Sequence, residues 1–338
     1  MKFLPVTPKS LEQAAKILQS GGLVAFPTET VYGLGADAYN PQAVAKIFEA
    51  KGRPKFDPLI VHISAIETLK NVAALSLLDK ETNKKLFLLA ENFWPGPLSI
   101  ILPKNEKIPG LVTSGLSTVA VRFPDHEAAL HLISSSGGAV AAPSANPFGS
   151  LSPTRAEHVR NSMGEKVDMI LDGGQTRIGL ESTVLDITGG KIKILRPGGT
   201  PKEAIEKLAG KIKNYEPKSN DAFASPGQLK NHYAPKTKLF TLTQDEIIQK
   251  PYEQDCAFLF FDGYARDAWL TERGKAVNKE EIIRVLSETG DLLEAAACLF
   301  ETLHELDNLN IFRIFAQLAP KQGLGEAIND RLIRGAAA

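Results

Sequence analysis

Cysteine is scarce: of 338 residues only Cys256 and Cys298 carry thiols. They lie far apart in apolar segments, without metal-ligand or redox spacing, and read as buried thiols of a reducing compartment. Long apolar runs are missing too, since nothing approaches the ~18 residues that a membrane-spanning helix needs. The opening MKFLPVTPKSLEQAAKIL has no continuous apolar core of signal-peptide length and turns straight into an amphipathic helix. The expectation is therefore a soluble, cytoplasmic chain with no membrane partner. Nor is there an excess of either charge, because 39 Lys plus Arg balance 39 Asp plus Glu. A protein that grips long nucleic acid by its phosphates usually needs a strongly basic surface, so any positive field here must be local. The sequence also lacks a G-x-x-x-x-G-K-[ST] loop, and Gly33-Leu34-Gly35 misses the third glycine of a dinucleotide fingerprint. A nucleophile elbow and a metal-ligand cluster are absent as well. A nucleotide, if bound, needs an unconventional pocket.

What is present is ordinary globular material, 43% hydrophobic and 23% charged, in a length that suits about two domains. The most informative stretch is Gly22 to Ile63, which reads as strand, polar turn, helix, basic loop and strand. Leu23-Val24-Ala25-Phe26 is a short apolar run of the kind covered on both faces. The turn Thr28-Glu29-Thr30 puts hydroxyls and a carboxylate at the strand's end, where ligands collect in open α/β sheets. Asn40-Pro41 opens a helix with buried stripe Ala43, Val44, Ile47 and Phe48, and Gly52 ends it. Lys51, Arg53 and Lys55 follow at a spacing of two, which in an extended loop aims all three heads the same way. Together these residues describe an anion site in a sheet crevice. A solvated helix end, with cations complementing the helix dipole, suits the basic trio equally. Thr28 and Thr30 also suit plain turn chemistry, and His62 alone is more readily a satisfied strand-end histidine than a ligand.

In Thr118 to Phe123, alternation puts Thr118, Ala120 and Arg122 on one face and Val119, Val121 and Phe123 on the other. Burial of Arg122 among such neighbours calls for an anionic partner. Elsewhere, Ser10 with Gln13 reads as a capping box, as does Thr154 with Glu157, whose helix would aim free amides at the preceding loop. A helical stretch from about Leu75 to Asn92 leads to Phe93-Trp94-Pro95-Gly96-Pro97, a forced turn with an aromatic packing anchor. Strands follow at Leu98 to Leu102, Ala139 to Ala142 and Met169 to Leu171. A hairpin pairs Ser182 to Ile187 with Ile192 to Leu195, and Thr200-Pro201 with Glu203 caps a helix closing near Leu208. From Lys211 to Lys238 the chain turns polar and reads as a linker containing Ser225-Pro226-Gly227 and His232-Tyr233. Beyond it, strands at Cys256 to Phe261 and Ile311 to Ala316 flank helical patterns at Lys279 to Leu286 and Leu292 to Leu306. A last helix is expected at Gly325 to Ile333, and the alternation implies a small parallel sheet.

FPTETVYGLG, KGRPKFDPLIVH, FWPGPLS, TVAVRFP, APSAN and ESTVLD occur in that order, followed by GLGEAINDRLIRGAAA at the carboxy terminus. The chain thereby resembles the YrdC-like family of threonylcarbamoyl-AMP synthases, in its long two-domain form, over nearly its whole length. The resemblance implies an α/β fold: a YrdC-like twisted mixed sheet with helices, followed by a small Rossmann-like parallel α/β domain. It implies a catalytic domain over 1–210, a linker over 211–238 that folds across the active site, and a carboxy-terminal domain over 239–338. The implied reaction joins ATP, L-threonine and bicarbonate or CO2 into threonylcarbamoyl-AMP and pyrophosphate, for a downstream transferase that modifies tRNA.

Carried over residue by residue, Lys51 and Arg53 are the catalytic cations. Arg53, Asp57, Thr118, Ser144, Asn146, Ser152, Arg196 and Tyr233 would contact ATP. Thr30, His62, Arg122, Ser182 and the backbone of Ala142 would hold threonine. Magnesium would arrive on ATP rather than on protein ligands alone, and no organic cofactor is expected. Two positions depart from the family pattern. Asp57 stands where relatives often carry asparagine, and Asn231 where many carry arginine. The rival expectations are a double-stranded RNA-binding module using the basic loop, with a weak RNA contact as its lesser form, and a carbamoyl transferase for another acceptor. Relatives of the second kind are much longer and bear zinc-type cysteine pairs, which this chain lacks.

Overall fold

A computed structural model describes residues 1–214, 232–273 and 282–337. They form two compact units, one of 1–148, 152–177 and 181–214, the other of 149–151, 178–180, 232–273 and 282–337. The strands of the first are β1 (Lys2–Pro5), β2 (Val24–Phe26), β3 (Gly33–Asp37), β4 (Ile60–Ile63), β5 (Leu98–Pro103), β6 (Thr118–Arg122), β7 (Ala139–Ala141), β8 (Met169–Asp172), β9 (Thr183–Asp186), β10 (Lys193–Arg196) and β11 (Lys213–Asn214). They make one mixed sheet in the order β1-β8-β2-β3-β7-β4-β6-β5-β9-β10-β11. Strand β4 runs parallel to β6 and antiparallel to β7, while β5 runs antiparallel to β6 and parallel to β9. Non-consecutive neighbours therefore bring four distant motifs side by side.

One face of this sheet packs on the helices Pro41–Lys51, Lys80–Phe93, Ala156–Met163 and Lys202–Ala209, and holds Val61, Ile100, Val119 and Val121. On the other face, the helices Pro8–Gln19 and Glu127–Ser135 cover Val24, Phe26, Val140 and Met169. Further along that second face, Ile60, Ile101, Ala120, Val184 and Leu195 form a separate apolar cluster supplied by strands alone. Burial of apolar area on this scale is the main stabilising contribution.

Local chemistry sets the helix ends. Thr7, not Gln13, completes the first capping box: its hydroxyl accepts from the Ser10 amide, and Ser10 Oγ accepts from the Thr7 amide. Short β1, too brief to show alternation, precedes that helix, where the sequence was expected to turn straight into it. Asn40 caps the next helix through the Gln42 and Ala43 amides, and Gly52 ends it at φ 63°, a left-handed conformation that glycine adopts without strain. The other two expected caps do not form. The helix Ala156–Met163 starts at Arg155 and Lys202–Ala209 at Pro201, each without a side-chain cap.

In the second unit, β12 (Lys238–Leu242), β13 (Cys256–Asp262), β14 (Ile283–Ser287) and β15 (Arg313–Gln317) form an all-parallel sheet in the order β12-β15-β13-β14. This is the expected Rossmann-like arrangement, with one correction: Ile283–Ser287 is a strand, not the end of a helix over 279–286. Its β-branched Ile and Val suit an edge strand, and five residues are too few to separate the two periods. The helices Leu292–Asp307 and Gly325–Ala336 follow expectation, each slightly longer. The start of this unit is anchored on its last helix. The Arg331 guanidinium lies 4.9 Å from the Tyr233 ring centroid, Phe300 packs at 5.8 Å, and a Cβ on Gly335 would stand 2.8 Å from the Tyr233 carbonyl. The expected linker motif Ser225-Pro226-Gly227 and Asn231 lie outside the described residues.

Candidate active site

Cross-strand register builds the site. Arg122 on β6 lies opposite His62 on β4 and Ser99 on β5; Ala120 lies opposite Ile60 and Ile101. Paired residues share a face. The strand-only apolar cluster is therefore a floor, bordered at one end by His62, Arg122 and Ser99. The Ser99 hydroxyl is 2.8 Å from that of Ser182, and Arg196 donates to the Ser182 carbonyl at 2.9 Å and to its hydroxyl at 3.2 Å. Ala142 donates its amide to the Ile60 carbonyl at 2.9 Å, fixing the strand that leads into Ser144 and Asn146. Thr30 is buried in the turn after β2, where the Thr28 hydroxyl, 2.8 Å from that of Thr30, also donates to the Val31 carbonyl.

Arg122 is buried and meets its anion, but the anion is one the sequence reading left unassigned. Its Nη2 is 2.7 Å from Glu29 Oε2, with the two side chains 5% and 1% exposed. The signal was available: a buried guanidinium needs a carboxylate, and Glu29 stands between the two threonines already assigned to the same crevice. Glu181, buried beside Ser152 and accepting from its hydroxyl, was likewise passed over.

The helix end and the loop after it hold the other cations. Lys51 is the last helical residue, and its ammonium donates to the carbonyls of Ser144, at 2.6 Å, and Asn146. Burial, and next the neighbouring Arg53 charge, push its pKa well below the usual lysine range. Arg53 donates to the carbonyls of Asp57 and Pro58 at 3.0 and 2.9 Å and pairs with the Asp57 carboxylate at 2.8 Å. Desolvation raises the Asp57 pKa against the opposing pull of Arg53, Lys51 and Arg196. Lys55 is exposed. The three basic heads therefore do not point one way, because Lys51 still follows helical geometry where an extended spacing was expected. Thr118 begins β6, half-buried, at the opposite end of that strand from Arg122 and opposite Pro103 on β5. Tyr233 belongs to the second unit, packed as described.

His62 is buried, with its pKa lowered to about 3, first by desolvation and then by Arg122; its ring meets Phe26 edge-on at 6.5 Å. It is a neutral imidazole at ordinary pH. Among the described residues no group of three or more His, Cys, Asp or Glu side chains is arranged to hold a metal ion, and no helix is long and apolar enough to cross a membrane. The arrangement offers four buried cations, a neutral imidazole and several hydroxyls around an apolar floor. That set can receive a polyanion and a small carboxylate together.

Comparison with known proteins agrees with this chemistry. Residues 16–198 match the Sua5/YciO/YrdC domain family, described as telomere recombination, and residues 200–337 match the threonylcarbamoyl-AMP synthase carboxy-terminal domain. The threonylcarbamoyl-AMP synthase of Pyrococcus abyssi is 42% identical, over 94% of this chain and 92% of that protein. The Bacillus subtilis threonylcarbamoyl-AMP synthase is 41% identical, over 98% and 94%. The structure of P. abyssi Sua5 complexed with L-threonine superposes with a TM-score of 0.85 at 39% identity, covering 99% of this chain and 96% of that one. E. coli YciO, at 22% identity and TM-score 0.50, over 58% of this chain and 94% of its own, shares the fold. With both domain families matched in sequence order and relatives above 40% identity along nearly their full length, the chain belongs to the threonylcarbamoyl-AMP synthase family.

Proposed function

We propose that this protein condenses L-threonine, bicarbonate or CO2, and ATP into threonylcarbamoyl-AMP and pyrophosphate, and that residues 1–210 carry the chemistry. The observation that carries the reading is the set of buried cations Lys51, Arg53 and Arg196, the last joined through Ser182 to Ser99 opposite the buried Arg122, within a family whose relatives are named for this synthesis. Lys51 and Arg53 hold the β- and γ-phosphates; Asp57, Thr118, Ser144, Asn146, Ser152, Arg196 and Tyr233 complete the nucleotide contacts. Arg122 takes the threonine carboxylate, with Thr30, His62, Ser182 and the Ala142 backbone around the rest of the amino acid.

The threonine amine, as its free base, first adds to CO2 (from bicarbonate, with loss of water) and gives up a proton to solvent, leaving a carbamate. A carbamate oxygen then bonds to the α-phosphorus as the bond from that phosphorus to the β-phosphate bridge breaks, and pyrophosphate departs with the electron pair. Positioning and charge neutralisation are enough for such a displacement, which needs no enzyme nucleophile. Magnesium fits as an ion carried by the triphosphate: Asp57, the carboxylate nearest the phosphate cations, is already held by Arg53. When bound, the ion would neutralise phosphate charge.

Residues 211–238 connect the catalytic domain to the carboxy-terminal domain of 239–338. The product passes to a transferase that modifies tRNA, in the cytoplasm. Any direct RNA contact of the basic loop is weak and falls to Lys55, since Lys51 and Arg53 are buried. The test is pyrophosphate release from ATP that depends on both threonine and bicarbonate, with serine and other amino acids as controls. Release without threonine, or none at all with every substrate present, would refute the assignment.

A further inference from the structure

Burying a carboxylate is costly unless its lone pairs are used, and buried ion pairs normally fill the remaining sites with hydrogen bonds. Glu29 departs from that pattern. Its side chain is 1% exposed, its contact with Arg122 is an ion pair at 2.7 Å, and neither carboxylate oxygen accepts a hydrogen bond in the structure. Beside it in the turn, the Thr28 hydroxyl serves the Thr30 and Val31 amides and the Val31 carbonyl rather than Glu29. So a charged group with unspent acceptor capacity stands beside the guanidinium to which the amino-acid carboxylate is assigned.

The ligand chemistry supplies what is missing. An α-amino acid carries its ammonium and carboxylate on one carbon, so their receptors must be neighbours of opposite sign. His62 is held neutral by burial and cannot offset a positive charge. Asp57 is engaged by Arg53, and Glu181 receives the Ser152 hydroxyl. Resting on the amino-acid reading of this site, we propose that Glu29 is the receptor for the substrate's amine and thereby selects zwitterionic amino acids over hydroxy acids of the same shape. Arg122 and Glu29 thus form one dipolar receptor: each neutralises the other in the free protein, and each meets the opposite end of the ligand when it binds.

The experiment measures binding of L-threonine and of (2S,3R)-2,3-dihydroxybutanoate, in which a hydroxyl replaces the amine, by calorimetry with the full chain. Binding of ATP to each variant reports that the fold is intact. The wild-type protein should favour threonine by at least about tenfold, the scale of one charge-assisted contact. Glu29→Gln should reduce that preference to roughly threefold or less while leaving ATP affinity within about twofold. If the glutamine variant also loses ATP, Glu29→Asp decides, because it keeps the charge and should keep a preference for threonine. A wild-type preference undiminished in Glu29→Gln, or a Glu29→Asp variant that binds ATP but treats both ligands alike, overturns the proposal. Wild-type protein that binds the two ligands equally also overturns it and leaves the synthase reading intact. Wild-type protein that binds neither ligand removes the amino-acid reading itself.

Discussion

Truncating Arg122 to alanine perturbs two quantities that the structure lets one size separately. In the free protein the change strands Glu29, whose buried carboxylate pairs with that guanidinium at 2.7 Å. Breaking a buried pair from one side costs about 3–5 kcal/mol. For a unit of this size each kcal/mol moves the melting point by about 2–4 °C, so the first unit of Arg122→Ala should melt roughly 6–20 °C lower. In the complex the same change removes the carboxylate's partner, costing about 2–5 kcal/mol, or roughly thirtyfold to several thousandfold in threonine affinity. Scanning calorimetry gives the first quantity and titration calorimetry the second. The paired variant Arg122→Met with Glu29→Gln separates them, because removing both charges should restore most of the stability while leaving threonine binding poor. A single variant that melts within about 2 °C of wild type, or a paired variant no more stable than the single one, would refute the claim that the pair is buried and mutually dependent.

Four further outcomes are expected. Arg53→Ala should lower turnover by roughly 10²- to 10³-fold, since this guanidinium meets charge developing on the leaving pyrophosphate; a wild-type rate of pyrophosphate release would remove it from the chemistry. Asp57→Asn keeps the carbonyls that Arg53 uses but deletes the carboxylate, so magnesium-free ATP should bind more tightly, by about three- to tenfold; weaker binding would show that the carboxylate holds the nucleotide even without magnesium to offset its charge. Lys51 has its pKa lowered by burial, and a phosphate beside it favours the ammonium form. ATP binding should therefore take up a proton at pH values between the lowered free-state pKa and the ordinary one, measured from binding heats in buffers of different ionisation enthalpy. Equal uptake by Lys51→Met would contradict this. Finally, His62 protonates near pH 3 when folded but near 6.5 when unfolded, so the unfolded chain holds more protons between those values and stability falls as pH drops through that window. His126 is lowered in the same direction by burial. Each adds at most about 1.4 kcal/mol per pH unit, and His62→Gln should flatten the limb between pH 6.5 and 5; an unchanged slope would place the imidazole in water.

Much of this was legible in the residues because strand ends are written locally. Asn40-Pro41 and Gly52 bracketed a helix, and alternation in Thr118–Arg122 put an arginine on the face that proves to be lined by His62 and Ser99. What escaped depended on neighbours in space. Glu29 lies 93 positions from Arg122, in the turn between β2 and β3, and the strand order β2-β3-β7-β4-β6 brings their segments together. Lys51, Arg53 and Lys55 were read as one row because spacing alone cannot say where helical geometry stops, and Lys51 lies on the helical side of that boundary. In the second unit, Ile283–Ser287 was too short for its period to declare itself.

The close approach at Gly335 ties the final helical turn to the segment that enters the second unit. Any side chain there would strike the Tyr233 carbonyl, and loss of Arg331 would strip the aromatic ring of its cover. Cleavage that removed Arg331 and Gly335 would thus loosen His232-Tyr233-Ala234, a hundred positions earlier, so the helix Gly325–Ala336 becomes a condition for holding Tyr233 in place.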